Sequence, residues 1–226
     1  MIEVRLPDGA VKKVASGTSP MQIAESISSG LARNVLSAAY NGQTVEAHSP
    51  LTQNGDLVLY TWEQKEGKQA FWHSSAHILA QALEEQYPGV QLTIGPAIDN
   101  GFYYDVDAGD NIITEKDFPS LEKRMLEIAR EKHPFAMRSV SKADALSHYS
   151  QQKNSFKVEL IENLEDGNIT FCDHSNFTDL CRGGHLPHTG FVKAVKLTNI
   201  AGAYWRGDEN NTQLTRIYGI SFPKQK

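Results

Sequence analysis

Two short stretches hold most of the side chains able to do chemistry. His73 and His77, in Phe71-Trp72-His73-Ser74-Ser75-Ala76-His77, are spaced i,i+4, so on a helix both imidazoles leave one face a turn apart. Cys181 and His185 repeat that spacing in Cys181-Arg182-Gly183-Gly184-His185, where the paired glycines argue for a loop. One thiolate and three imidazoles suit tetrahedral zinc: a structural ion would use all four, and a hydrolytic ion would leave one corner for water. Metalloprotease chemistry is excluded, because HExxH needs its general base at position 74, which is Ser. A Cys181 nucleophile beside a histidine is the other option, with Asp179 the one nearby acid.

Lys157 sits inside the apolar run Phe156, Val158, Leu160. It either snorkels to solvent or places an ammonium where an oxyanion develops. Tyr103 and Tyr104 alternate on a strand, so one of them faces the core. Cys172 reads as a buried strand residue. Residues 202–211, Gly-Ala-Tyr-Trp-Arg-Gly-Asp-Glu-Asn-Asn, read as a hairpin. With no GxGxxG after a strand and no Walker lysine, nothing supports ATP binding.

These residues need a scaffold. The 226 residues, 40% apolar and 22% charged, are enough for one large domain or two smaller ones with real cores. No apolar run approaches the ~20 residues of a membrane span, and no signal peptide is visible, so a cytoplasmic location without a membrane partner is expected. Two cysteines are too few for a disulfide framework, which favours reduced thiols. A net charge of −5 argues against a general nucleic-acid coat while leaving room for a local RNA footprint.

Residues 2–6 alternate, Pro7-Asp8-Gly9 turns, and residues 11–14 return, which predicts a hairpin. Ser19-Pro20 opens a helix with Ile23 and Ile27 on one face, ending at Gly30. Strands are predicted at 35–40 and 57–61, giving β-β-α-β-β, the β-grasp arrangement. His48 has no obvious partner there, and the role expected of this part is structural or adaptor. The charged residues 63–68 read as a linker. Beyond it, Trp72, Ala76, Leu79, Ala80, Leu83 and Tyr87 recur at helical spacing with His73 and His77 beside the stripe. Strands at 92–98 and 102–106, a helix through Leu121, Met125 and Ile128 after a Thr114/Asp117 capping box, and a strand at 135–140 follow. Helices opened by Ser141 and marked by Phe156 to Leu164 precede short strands at 169–172, 192–197 and 214–218. Without a regular βαβ repeat, the fold class is α+β, a small β-grasp domain at 1–62 followed by a larger domain at 63–226.

HSSAH at 73–77, IGPAIDNGFYYD at 94–105, SFKV at 155–158, DLCRGGH at 179–185 and AGAYWRGDENNTQLTRIYG at 201–219 together resemble the N-terminal half of bacterial threonyl-tRNA synthetases. Residues 1–62 resemble the TGS domain of that family. The resemblance implies an editing domain that hydrolyses serine wrongly esterified to threonine tRNA. A synthetic site built for threonine rejects serine by one missing methyl, worth roughly 1–3 kcal/mol, so a second, tighter pocket is needed. Carried over by position, His73, His77, Cys181 and His185 match the editing core, Lys157 its catalytic lysine, and Tyr104 and Asp179 pocket residues. Gly95, with Ser74, Ala76 and Gly183, suits a narrow pocket. The histidines and Lys157 are then expected to position a water and stabilise the oxyanion.

The family's editing site is described as metal-free, so no cofactor is expected for editing, although related alanyl-tRNA synthetase domains hold zinc with an equivalent quartet. Two residues depart from the family pattern: Cys172 replaces an aromatic residue, and Gly184 replaces a common Pro, which predicts a looser 181–185 loop. The resemblance places the ATP, magnesium and zinc of aminoacylation in a catalytic core that this sequence does not contain. It implies editing without charging, and as partners the 3′ end of threonine tRNA carrying serine and the rest of the synthetase in cis. The Phe222-Pro223-Lys224-Gln225-Lys226 ending reads as an imposed boundary, and the piece as a monomer of an enzyme that is dimeric at full length. Two alternatives stand beside this reading: a free-standing zinc-dependent hydrolase, and a non-catalytic RNA-binding or regulatory module with structural histidines.

Overall fold

In the computed structural model, residues 1–224 are described. The chain-end reading above therefore falls partly outside the described residues. The chain divides into two compact units, Met1–Phe71 with Gly183–His188, and Trp72–Arg182 with Thr189–Lys226.

The first unit is a β-grasp. Its strands β1 (Ile2–Arg5), β2 (Val11–Val14), β3 (Ser37–Tyr40), β4 (Gln43–Val45) and β5 (Gly55–Tyr60) pair in the order β2-β1-β5-β3-β4. Helix α1 (Pro20–Ile27) starts as its sequence predicts: Ser19 caps the Gln22 amide, Gln22 reciprocates on the Ser19 N–H, and Pro20 needs no donor. The helix buries Ile23 among Ile2, Val4, Ala38, Tyr40, Leu51 and Leu57. Burying an aliphatic side chain of this size is worth about 1.5–3 kcal/mol, which sets the helix on the sheet. Gly30 does not end α1. Ser28 does, and its hydroxyl caps a further turn, α2 (Ser29–Ala32), which contains Gly30.

The charged stretch at 63–68 is not a linker. Helix α3 (Lys65–Gln86) begins inside it, and Gly67 packs so close to Thr61 that an added Cβ would lie 1.9 Å from its carbonyl oxygen. Of the charges that suggest a solvated tether, Lys65, Glu66 and Lys68 form the first turn of a helix.

In the second unit, β12 (Ala194–Tyr204), β13 (Gln213–Phe222), β8 (Gly101–Asp107) and β6 (Gln91–Leu92) form one sheet, with β7 (Ala97–Ile98) also on β8. The strand predicted at 92–98 is thus broken in two. The 202–211 stretch does form the connection of a hairpin, β12 to β13. A second sheet has the order β11 (Phe177–Leu180), β10 (Thr170–His174), β9 (Ala136–Ser139). Helices α4 (Phe118–Glu131), α5 (Lys142–Gln151) and α6 (Ser155–Glu162) complete it. Ile78, Leu79, Ala80, Ala82 and Leu83 are all fully buried, so this part of α3 is enclosed on every side instead of on one stripe. Trp72 Nε1 donates to the Ser221 carbonyl at 3.1 Å and Ser75 meets the Ser221 hydroxyl at 2.7 Å, which fixes the helix's rotation against β13. Among the described residues no helix is long and apolar enough to cross a membrane.

Candidate active site

The second unit converges on Asp179, which β11 holds with only 3% of its surface exposed. Lys157 Nζ donates to Oδ1 at 2.6 Å, Tyr104 donates its hydroxyl to Oδ2 at 2.8 Å, and His77 Nδ1 lies 3.1 Å from Oδ2. One buried carboxylate is therefore shared by three predicted site residues from α6, β8 and α3. His77 Nε2 is 3.1 Å from His73 Nε2, and that same nitrogen of His73 is 3.3 Å from the Cys181 sulfur. The i,i+4 spacing does put both imidazoles on one face. His77 is buried and His73 half-buried.

Each side chain is placed by identifiable local structure. Lys157 is the third residue of α6, whose cap Asn154 accepts from the Lys157 amide at 3.0 Å and donates to the Leu92 carbonyl at 2.9 Å. The same helix is gripped from the hairpin: Trp205 Nε1 donates to Glu159 at 2.9 Å, and its ring meets Phe156 edge-on with the centroids 5.1 Å apart. Trp205 and Arg206, in a stretch whose sequence predicts only a hairpin, thus anchor the helix that carries Lys157. Tyr103 and Tyr104 do point to opposite faces. Tyr104 is buried, while Tyr103 stacks under Arg216, whose guanidinium lies 3.9 Å from the ring centroid and pairs with Asp105 at 2.7 Å.

Gly95 lies against Tyr104, where a Cβ would fall 2.1 Å from the ring. Gly95→Ala is therefore expected to push the phenol away from Asp179 and to destabilise the protein by about 1–3 kcal/mol. Chemical denaturation checks this, with a larger shift than for Gly30→Ala, where an added Cβ meets only the Ser28 hydroxyl at an ordinary 3.7 Å.

Burial alone would raise the Asp179 carboxyl, but the Lys157 ammonium and the His77 contact outweigh it and hold the group well below the ordinary carboxylate range. For His77, burial opposes the charged form, yet Cys181 and Asp179 prevail and raise it above the usual imidazole value. Burial, followed by the Asp179 charge, pushes the Tyr104 phenol far up, so it stays a donor at all ordinary pH. An ionised carboxylate only accepts, so His77 keeps Nδ1–H toward Asp179. Neutral, His77 accepts from His73 through Nε2. Protonated, it donates there. A proton can thus pass between the two rings without either moving.

The donor atoms of His73, His77 and Cys181 lie within 4.8 Å of one another. Two imidazoles and a thiol are the ligand types zinc prefers, and a carboxylate behind His77 Nδ1 is the usual support of a ligating histidine, so the residues fit such an ion. His185 belongs to the 183–188 segment grouped with the first unit. It is fully buried, with Nδ1 3.1 Å from Glu46. Glu46 was not singled out by sequence, since nothing local to it signals a role. Cys172 is buried in β10, as read.

Residues 169–218 match the family described as threonyl and alanyl tRNA synthetase second additional domain, and residues 2–60 match the TGS domain. Over all 226 residues the chain is 65% identical to a threonine–tRNA ligase of Flavobacterium psychrophilum and 62% identical to one of Flavobacterium johnsoniae. A threonine–tRNA ligase of Cytophaga hutchinsonii is 52% identical over the same span. In each case the whole chain aligns with 35% of the relative's length.

Proposed function

We propose, for a chain that belongs to the threonine–tRNA ligase family through its TGS and second additional domains, that residues 63–226 act as an editing module hydrolysing serine from mischarged threonine tRNA, behind a TGS module at 1–62. The observation that carries this reading is the buried Asp179 holding Lys157, His77 and Tyr104 in one network, with His73 and Cys181 at its edge. Such pre-set donors are what ester hydrolysis needs.

In this mechanism a water attacks the ester carbonyl carbon and gives its proton to His73, which is backed by His77 and Asp179. Charge builds on the carbonyl oxygen, and the Lys157 ammonium stabilises it. The tetrahedral species collapses, the carbon–oxygen bond to the terminal ribose breaks, and the ribose oxygen takes the proton from the histidine pair. Free serine and uncharged tRNA result. Tyr104 and Asp179, with Gly95 behind the phenol and Cys181 beside His73, bound a space in which threonine's extra methyl is refused. His185 is assigned to the same machinery by its position in DLCRGGH. The tRNA 3′ end is the partner, with the remainder of a synthetase in cis. Zinc held by His73, His77 and Cys181 would instead supply an activated hydroxide, and the clustering of those donors is the one observation that favours it.

The test is deacylation of serine-charged and threonine-charged threonine tRNA by the 226-residue chain, with and without a chelator. Selective loss of serine that survives chelation is expected. Abolition by the chelator would move the chemistry to a metal, and equal release of both amino acids would remove the editing reading.

A further inference from the structure

The Gly183-Gly184 pair has positive φ at both residues, 102° and 87°. The turn aims the amides of residues 184 and 185 at one point, a small anion cradle. Glu46 fills it. Its Oε1 accepts from the Gly184 N–H at 2.8 Å, its Oε2 accepts from the His185 N–H at 3.1 Å, and Oε1 also lies 3.1 Å from His185 Nδ1. The amide at 184 exists only because the residue is not proline. Where the departure from the family pattern predicted a looser loop, the structure shows that same position tied down by one more hydrogen bond.

A carboxylate already accepting two backbone N–H groups has only acceptor capacity to offer the ring, so the imidazole must present Nδ1–H to it. The lone pair is then confined to Nε2. His185 is fully buried, so water does not compete for Nδ1. A carboxylate behind a histidine nitrogen fixes tautomer, orientation and basicity at once.

We infer that Glu46, a residue within the TGS match, is a positioning residue that holds His185 as the Nδ1–H tautomer for ester hydrolysis. The inference rests on the reading of His185 as part of the hydrolytic machinery. It gives the N-terminal domain a direct share in the chemistry, where its sequence suggests only a structural or adaptor module.

The tautomer is read directly from the imidazole ¹⁵N shifts of His185 in the full chain, above pH 8. Parent protein is expected to show a pyrrole-type Nδ1 and a pyridine-type Nε2, and the opposite pattern overturns the inference without any variant. Glu46→Ala is expected to lose that preference and to slow serine deacylation about 10–100-fold in kcat with little change in KM. Glu46→Gln keeps an acceptor oxygen for the Gly184 amide and Nδ1 but turns its NH2 toward the His185 N–H, so it should retain the tautomer and lose less rate than Glu46→Ala. An unchanged tautomer in Glu46→Ala overturns the inference. So does full activity in Glu46→Ala while His185→Ala is inactive. Should His185→Ala itself deacylate normally, the assignment of His185 fails first, and the inference with it.

Discussion

Replacing Asp179 with asparagine lowers the stability of the protein by about 3–5 kcal/mol, the usual loss when one member of a buried ion pair is removed. The cause is what remains. Lys157 is 2% exposed, and its ammonium, 2.6 Å from Oδ1, would face a neutral amide with little solvent to compensate. Tyr104 and His77 would lose the charged acceptor that orders them. Denaturation of parent and variant across pH gives a signature as well as a magnitude. The Asp179 carboxyl is depressed in the folded state, so its contribution is present above the unfolded value of about 3.9 and is lost as pH falls from there toward the folded value. His77 is raised, so its share is complete below its unfolded value and disappears as pH rises through the folded one. The gap between parent and variant is therefore expected to be widest in mildly acidic solution and to close below about pH 4. A gap that is flat down to pH 2 would mean that Asp179 titrates as an ordinary carboxylate.

His73→Ala separates chemistry from stability in the opposite sense. His73 is half-buried, and it sits at the end of the network, not at its centre. Its removal is expected to cost about 1 kcal/mol of stability or less, but to slow serine deacylation about 10²–10⁴-fold, the range for losing a general base. The loss should fall on kcat, with KM nearly unchanged, since the group acts on the attacking water and not on the bound ester. Single-turnover deacylation of serine-charged threonine tRNA measures it. A variant that keeps its rate would remove His73 from the proton path and leave the base to be found elsewhere.

Much of this is legible in the sequence itself. The Ser19-Pro20 start, the Pro7-Asp8-Gly9 turn and the i,i+4 histidines are local signals, and local physics enforces them whatever the rest of the chain does. Lys157 was recognisable as a charge in an apolar run, although only the fold decides between snorkelling and burial. What sequence missed depends on distant packing. The helical reading of residues 65–68 rests on Gly67 against Thr61, a fit invisible in a run of charges. The short strand β4 is set by pairing with β3 and has no period of its own. Glu46 meets His185 across 139 positions, and Trp205 meets Glu159 across 46. No window of sequence contains either pair.

The capture of residues 183–188 by the first unit has a consequence during synthesis. When residues 1–71 have left the ribosome, the carboxylate of Glu46 has no amides to receive, because the segment that supplies them is more than a hundred residues from being made. At the usual 5–20 residues per second, the wait is on the order of ten seconds. The N-terminal β-grasp can form its sheet in that interval, yet it stays one segment short of its native contacts until most of the following domain has been translated.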